Sequence, residues 1–228
     1  MRVLSTRERL LDAAYRIISE ESLSQLSIDH VTERAGLSRR TFFLHFPSKD
    51  QLLADVLDYL RPAQAQKYRQ WAEQLDPDFS VEGRICALFR HAIAESDGPG
   101  WKGCCFLRVS AEFGDRVGHP VHEVVAEAHH DFERLLETEL GNGEYVAPAL
   151  LAKQLVVLYN GLLIMRLVHR TNGYSAAVLS MLPEMLATHR VASDGQSQQH
   201  GAARAALRPP GNHAVPQPRN GTAADRNG

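Results

Sequence analysis

Cysteine is scarce in this chain. There are three in 228 residues, an odd number, and two of them, Cys104 and Cys105, are adjacent while Cys86 stands alone. This argues against a disulfide framework, because adjacent cysteines bridge each other only with strained geometry. The usage suits a reducing compartment, so a cytoplasmic location is expected. No apolar run reaches the length of a membrane span: the greasiest stretch, Leu155 to Leu167, contains Asn160, Gly161 and Arg166. The N-terminus turns amphipathic at once and has no apolar segment of the signal-peptide kind. An excess of one charge is also missing, with 25 Lys and Arg against 27 Asp and Glu and a formal net charge of -2. The whole molecule is therefore no electrostatic glue for nucleic acid, and DNA binding would need a local basic patch. Neither strand alternation nor an internal repeat is evident.

What is present reads as helix nearly throughout. Ser5-Thr6-Arg7-Glu8 forms a capping box, followed by an apolar stripe of Leu10, Ala13, Ala14, Ile17 and Ile18. After a break at Ser22 and Leu23, Ser27 caps a short helix with Ile28, Val31 and Ala35 inside, and Gly36 ends it. Leu37 is expected to be a buried plug, and Ser38 to cap a third helix running to about His45, stopped by Pro47. Ser48-Lys49-Asp50-Gln51 opens a fourth with a second capping box, and Pro62 is expected to bend or break it. Further helices are expected near 80–96, 103–113, 120–140, 148–171 and 175–190, the last kinked at Pro183. The 37 residues from Ala192 onward hold five Gly, four Pro and no aromatic residue, the composition of a disordered tail.

Residues 27–49 carry the function. Two short helices joined by a Gly turn make a helix-turn-helix, whose second helix can enter a major groove. Between 34 and 49 the charged residues are Arg34, Arg39, Arg40 and Lys49, with no acid, so a slightly acidic protein carries a local charge of +4 there. A capped helix pair can also be plain core architecture, with the two arginines on a solvated face. The difference lies in the full set of marks: Leu11-Asp12-Ala13-Ala14, Ala35-Gly36-Leu37-Ser38, Phe43-Leu44-His45-Phe46 and Ser48-Lys49-Asp50-Gln51-Leu52-Leu53.

In that order and position, these segments resemble the TetR-type transcriptional regulators, from about Leu4 to Ala63. The resemblance implies a DNA-binding surface of Ser27, Ser38, Arg39, Arg40, Thr41, Phe43, Leu44, His45 and Lys49. Ser27 and Ser38 would cap helices and offer hydroxyls to phosphates. Arg39, Arg40 and Thr41 would face bases or phosphates, while His45 and Lys49 would touch the backbone. Phe43 stands where the family usually has Tyr and lacks its hydroxyl; Ser22 stands where it usually has Gly.

The resemblance also implies an all-α fold of two domains. An N-terminal three-helix helix-turn-helix domain spans 4–64, and a helical bundle for effector binding and dimerisation spans 65–191, with the tail at 192–228. The last two helices carry broad apolar faces, including Leu150, Leu151, Leu155, Leu158, Leu162, Met181, Leu182 and Met185, expected to pair with a second copy or to pack inside one monomer. Candidate walls of an effector pocket are Trp101, Cys105, Phe106, Val109, His129, Phe132, Tyr159 and Met165, with Glu112 or Arg166 orienting a polar group.

Histidines gather at 119, 122, 129 and 130, but no Cys-x-x-Cys accompanies them, and His119-x-x-His122 is the only tight zinc-like spacing. The expectation is a homodimeric, ligand-responsive repressor on palindromic double-stranded DNA, with a small-molecule effector and without cofactor, catalytic residues, metal or membrane. Two alternatives stay open at this point: a metal- or thiol-sensing regulator on the same fold, and a small helical enzyme using Cys104 or Cys105 with a nearby His.

Overall fold

The computed structural model describes residues 4–169 and 172–191. The expected disordered tail, 192–228, lies outside the described residues, as do residues 170–171 of the expected eighth helix. The described part is all helical, apart from an isolated antiparallel bridge between Tyr145 and Arg190.

Helix α1, Thr6–Arg16, opens with the expected capping box: Ser5 Oγ accepts from the Glu8 amide, and the Ser5 amide donates to the Glu8 carboxylate. It passes into a π-helical turn, Ile17–Glu21, and a 3₁₀ turn, Leu23–Gln25. Helix α2, Ile28–Ala35, ends on Gly36 at φ 63°. The Leu37 amide reaches the Thr32 carbonyl at 2.9 Å and the Gly36 amide the Glu33 carbonyl at 3.0 Å, the two bonds of a Schellman end that glycine adopts without a Cβ penalty. Arg9 donates to the Ala35 carbonyl at 2.6 Å, satisfying another orphan of the same helix end. Leu37 is half-buried rather than buried, because it packs at the edge of this core.

Helix α3, Arg39–His45, places Phe42 inward. Helix α4, Lys49–Glu73, runs 25 residues without a break. Two expectations fail here. The Ser48 end is half a capping box: Ser48 Oγ accepts from the Gln51 amide, but the Gln51 side chain turns to Asp55 instead. Pro62 does not break the helix; it lies on the exposed face, where water can reach the carbonyl its missing N–H leaves unbonded.

Five helices follow: α5 Val81–Ser96, α6 Cys105–Phe113, α7 Val121–Gly141, α8 Pro148–His169 and α9 Asn172–Thr188. Two hydrophobic cores result. The first joins α1 to α3 and the front of α4 (Leu52, Leu53, Val56, Leu57) to Phe106, Val109 and Phe113 of α6 and Val121 and Val125 of α7. The second joins Tyr68, at the back of α4, to α5, the end of α7, α8 and α9. Thus α4 and α7 run through both.

Helix α8 departs from expectation twice. With 22 residues and mean hydropathy 1.5 it is, by length and composition, long and apolar enough to cross a membrane. Yet Arg166 is buried within it, paired with Asp97 and Ser96, and its apolar side packs on α5, α7 and α9. Half of the eight apolar residues named from the sequence for a dimer face (Leu151, Leu155, Leu162, Leu182) are buried inside the monomer. The exposed apolar residues of these helices include Leu150, Val157, Val168 and Met181. A helix apolar all round has no stripe for periodicity to orient.

Proline inside a helix costs up to about 3 kcal/mol relative to alanine. Pro62→Ala should therefore raise stability, by up to that amount, measured as a higher denaturation midpoint at unchanged helical content. A lower midpoint would show that Pro62 contributes packing outweighing its backbone cost.

Candidate functional site

The surface of α3 is shaped by what it buries. Phe42 and Phe46 point inward, ring centroids 5.7 Å apart, and Arg7 lies 5.3 Å over the Phe46 ring while pairing with Asp55 at 2.6 Å. Ser38 caps the helix, its hydroxyl accepting from the Thr41 amide at 3.1 Å, as Ser27 does for α2 from His30 at 3.2 Å. With the inward face filled, α3 turns Arg39, Arg40, Phe43, Leu44 and His45 outward, and Lys49 follows at the start of α4. Leu44 is 75% exposed and Phe43 50%. Large apolar side chains left in water beside cations mark a contact surface.

The charge of this surface is smaller than the sequence suggests. Arg34 is committed to Glu20 and Glu21, and Arg39 pairs with Asp29 across the turn. Arg40 and Lys49 are exposed and make no ion pair among the described residues.

Behind the head lies a narrow cavity of about 60 Å³ between α4, α6, α7 and α8. Its walls include Gln64 and Tyr68 of α4, Cys104 and Phe106, His129 and Phe132 of α7, and Tyr159 of α8. The Tyr68 and Tyr159 hydroxyls meet at 2.8 Å, Gln64 donates to Tyr68 at 3.2 Å, and Phe132 stacks on Tyr68 with centroids 5.3 Å apart. Burial pushes the Tyr68 phenol up to about 12 and the Tyr159 phenol well above its ordinary value, so both are neutral donors. Burial, helped by His130, lowers His129, which is neutral at physiological pH.

Of the ten pocket residues expected from the sequence, Phe106, His129, Phe132 and Tyr159 come together here. Six do not. Trp101 and Cys105 line a second space of about 400 Å³, at the joint with α1. Val109 is fully buried in the head's core, because it lies one turn beyond Phe106 on α6. Glu112 is exposed, Met165 is half-buried away from this cavity, and Arg166 is engaged by Asp97. Gln64, Tyr68 and Cys104 were missed. The first two lie beyond Pro62, where the sequence argued for a bend rather than a continuous wall.

Thiol and metal chemistry find little footing. Burial raises Cys104 and Cys86 and pushes Cys105 up to about 12, which suppresses the reactive thiolate. Among the described residues, no three potential ligands are placed to hold a metal ion. The histidines disperse: His119 packs on Phe113 at 4.3 Å, His122 donates to the Arg116 carbonyl at 2.9 Å, and His129 faces the cavity.

Head and body are joined by more than the chain. The carbonyls ending α1 and its π turn are taken from the body side, Glu20 and Glu21 by Lys102 and Ile18 by Arg108, the last two contacts at 2.6 and 3.3 Å. A cation at a helix C-terminus satisfies orphan carbonyls and complements the dipole. Across the other side, buried His119 sits 3.4 Å from Asp50 in the first turn of α4.

Comparison with known proteins agrees with this arrangement. Residues 10–56 match the family of bacterial regulatory proteins called the tetR family. The HTH-type transcriptional regulator YjdC of Escherichia coli is 27% identical over 172 residues, covering 73% of this chain and 86% of its own. The HTH-type regulator EthR of Mycolicibacterium smegmatis is 35% identical over 106 residues, 46% of this chain and 48% of its own. A crystal structure of a TetR-type regulator from Streptomyces avermitilis superposes with a TM-score of 0.69 at 27% identity, covering 81% of this chain and 99% of that one. The fold and reading head thus define a helix-turn-helix regulator of transcription that binds DNA, and not an enzyme. Its segment 10–56 matches the tetR family, and over most of its length the chain is similar to TetR-type regulators.

The raised phenols set a pH dependence. A folded-state pKa near 12 against an ordinary 10 means the native state keeps the Tyr68 proton longer than the unfolded chain does. Its stabilising contribution is therefore complete below about pH 10 and is lost as pH rises toward 12. In an alkaline titration followed by tyrosinate absorbance, Tyr68 and Tyr159 should resist ionisation until the protein unfolds. Tyr68→Phe should have one resistant phenol fewer than the parent protein, and ionisation of every tyrosine at the ordinary pH would contradict the burial.

Proposed function

We propose that this regulator is a repressor that holds a palindromic operator as a homodimer and releases it when a small molecule occupies the tyrosine cavity. One observation carries the reading: the cavity walls are the helices that also build the head. On α6, Phe106 faces the cavity while Val109 and Phe113 sit in the head's core. On α4, Tyr68 faces the cavity while Leu52 to Leu57 support α3 from behind. At about 60 Å³ the cavity has room for a few waters, so a larger occupant seated within it pushes these helices apart.

The functional division is a reading head over 4–64 and an effector and dimer body over 65–191, with α4 shared. In the head, Arg39, Arg40 and Thr41 meet base edges or phosphates at the start of α3. Ser27, Ser38, His45 and Lys49 hold the backbone, and Phe43 and Leu44 offer apolar contact to sugars or thymine methyls. Arg39 would exchange Asp29 for DNA. In the body, exposed Leu150, Val157 and Met181 flank a groove lined by Leu158 and Met185, which supports pairing of α8 and α9 with a second copy as a four-helix interface. Two heads must then sit about 34 Å apart to read half-sites one DNA turn apart, so a small rotation spoils simultaneous engagement. A coupling of about 1–3 kcal/mol suffices for release. Such a protein works in the cytoplasm.

The test begins with selection of genomic fragments by the purified protein, which should return two-fold symmetric sites. On such a site, Arg39→Ala/Arg40→Ala should bind more weakly, and its salt dependence should fall by at most about two phosphate contacts, less if one arginine reads a base. Unchanged affinity and salt slope in a folded double variant would place the reading surface elsewhere.

A further inference from the structure

The largest space beside the tyrosine cavity holds none of the residues expected from the sequence. It is a cleft of about 680 Å³ between α4, α5 and α7. It shares Arg61, Ala65, Tyr68, Asp131 and Leu135 with the tyrosine cavity, so the two are neighbours on either side of those residues. Its floor is apolar, built from Trp71, Ile85, Leu88 and Leu136.

Its rim is not. Four arginines line the cleft against two carboxylates, in a chain whose formal net charge is -2. Two of the four are committed. Arg84 holds Glu139 through two bonds of 2.8 and 3.1 Å, and Arg61 pairs with Glu127 at 2.8 Å and Asp131 at 3.3 Å. The other two are exposed. Arg69 is exposed and makes no ion pair among the described residues, and Arg134 is 72% exposed, bound to Asp131 one turn back on its own helix. A guanidinium fork matches a carboxylate or phosphate edge in shape as well as charge. An apolar floor beside unpaired Arg69 and an exposed Arg134 that can exchange Asp131 for a ligand suits a molecule with a greasy body and one anionic end. A cation of the same shape would meet like charge.

We propose that the ligand of this regulator is an amphipathic organic anion, its head on Arg69 and Arg134 and its apolar body on the cleft floor beside Trp71 and Leu136, against Tyr68 on the side shared with the tyrosine cavity. The assignment rests on the reading that the tyrosine cavity is the effector site. It also places the ligand along α4 on both sides of Pro62, the helix that reaches the reading head.

The chain's own tryptophans separate the two neighbouring spaces. It has two: Trp71 lies on this cleft and Trp101 on the space at the α1 joint. The full chain is titrated with decanoate, 1-decanol and decyltrimethylammonium at equal submicellar concentrations, following tryptophan emission and the thermal midpoint. Decanoate should bind saturably, raise the midpoint and change emission in a way that Trp71→Phe abolishes. The alcohol should bind about tenfold more weakly, and the ammonium more weakly still. Arg69→Glu/Arg134→Glu, checked for unchanged helical content, should weaken decanoate by about tenfold or more. Equal affinities for the three probes, or an unaffected charge-reversal variant, would overturn the anion assignment. If the three bind equally and Ala65→Trp abolishes them all, the cavity reading stands and the charge assignment alone falls. If none binds, both fall.

Discussion

One helix belonging to two hydrophobic cores is the constraint on which the rest of the molecule depends. The front of α4 buries Leu52, Leu53, Val56 and Leu57 behind the recognition helix, and its back buries Tyr68 among the body helices. Packed interiors are dense and deform little, so a rod fixed in both cannot shift at one end without strain at the other. The joint is reinforced where Lys102 and Arg108 take the carbonyls that end the first helix, and where Arg61 ties α4 to α7 through Glu127 and Asp131. Helix α6 completes the link, with Phe106 on the cavity and Val109 one turn later in the head's core.

The same constraint explains what could be read from the sequence. The head was legible almost residue by residue, because its signals are local: a capping box at Ser5, a serine cap at Ser27, a glycine at the left-handed position 36, a serine cap at Ser38. Each acts within one helical turn and needs no knowledge of the rest of the fold. Helix positions in the body followed from apolar periodicity to within a few residues, for the same reason.

The candidate site was legible only in part, because it is assembled from four helices far apart in sequence. Phe106, His129, Phe132 and Tyr159 could be proposed from their chemistry, whereas Val109 has similar chemistry and shares a core with Phe106 but does not reach the cavity. One turn of α6 decides between them, and periodicity fixes a helix face but not where along that face a cavity opens. Pro62 misled in another way. Its cost to a helix is real, but exposure on the solvent face lets α4 continue, and with it the wall formed by Gln64 and Tyr68. The charge of the reading head was overstated because ion pairs such as Arg34 with Glu20 and Glu21 join residues from different helices.

The central claim is that filling the tyrosine cavity moves the reading head through α4 and α6. Ala128 lies half-buried on the cavity wall and also packs against the head's core, so Ala128→Trp builds an occupant into the protein itself. The direct measurement is the operator affinity of this variant, alongside its thermal midpoint and assembly mass. The account predicts affinity at least about tenfold weaker in a folded protein of unchanged mass. Undiminished operator affinity with a tryptophan seated in the cavity would contradict it.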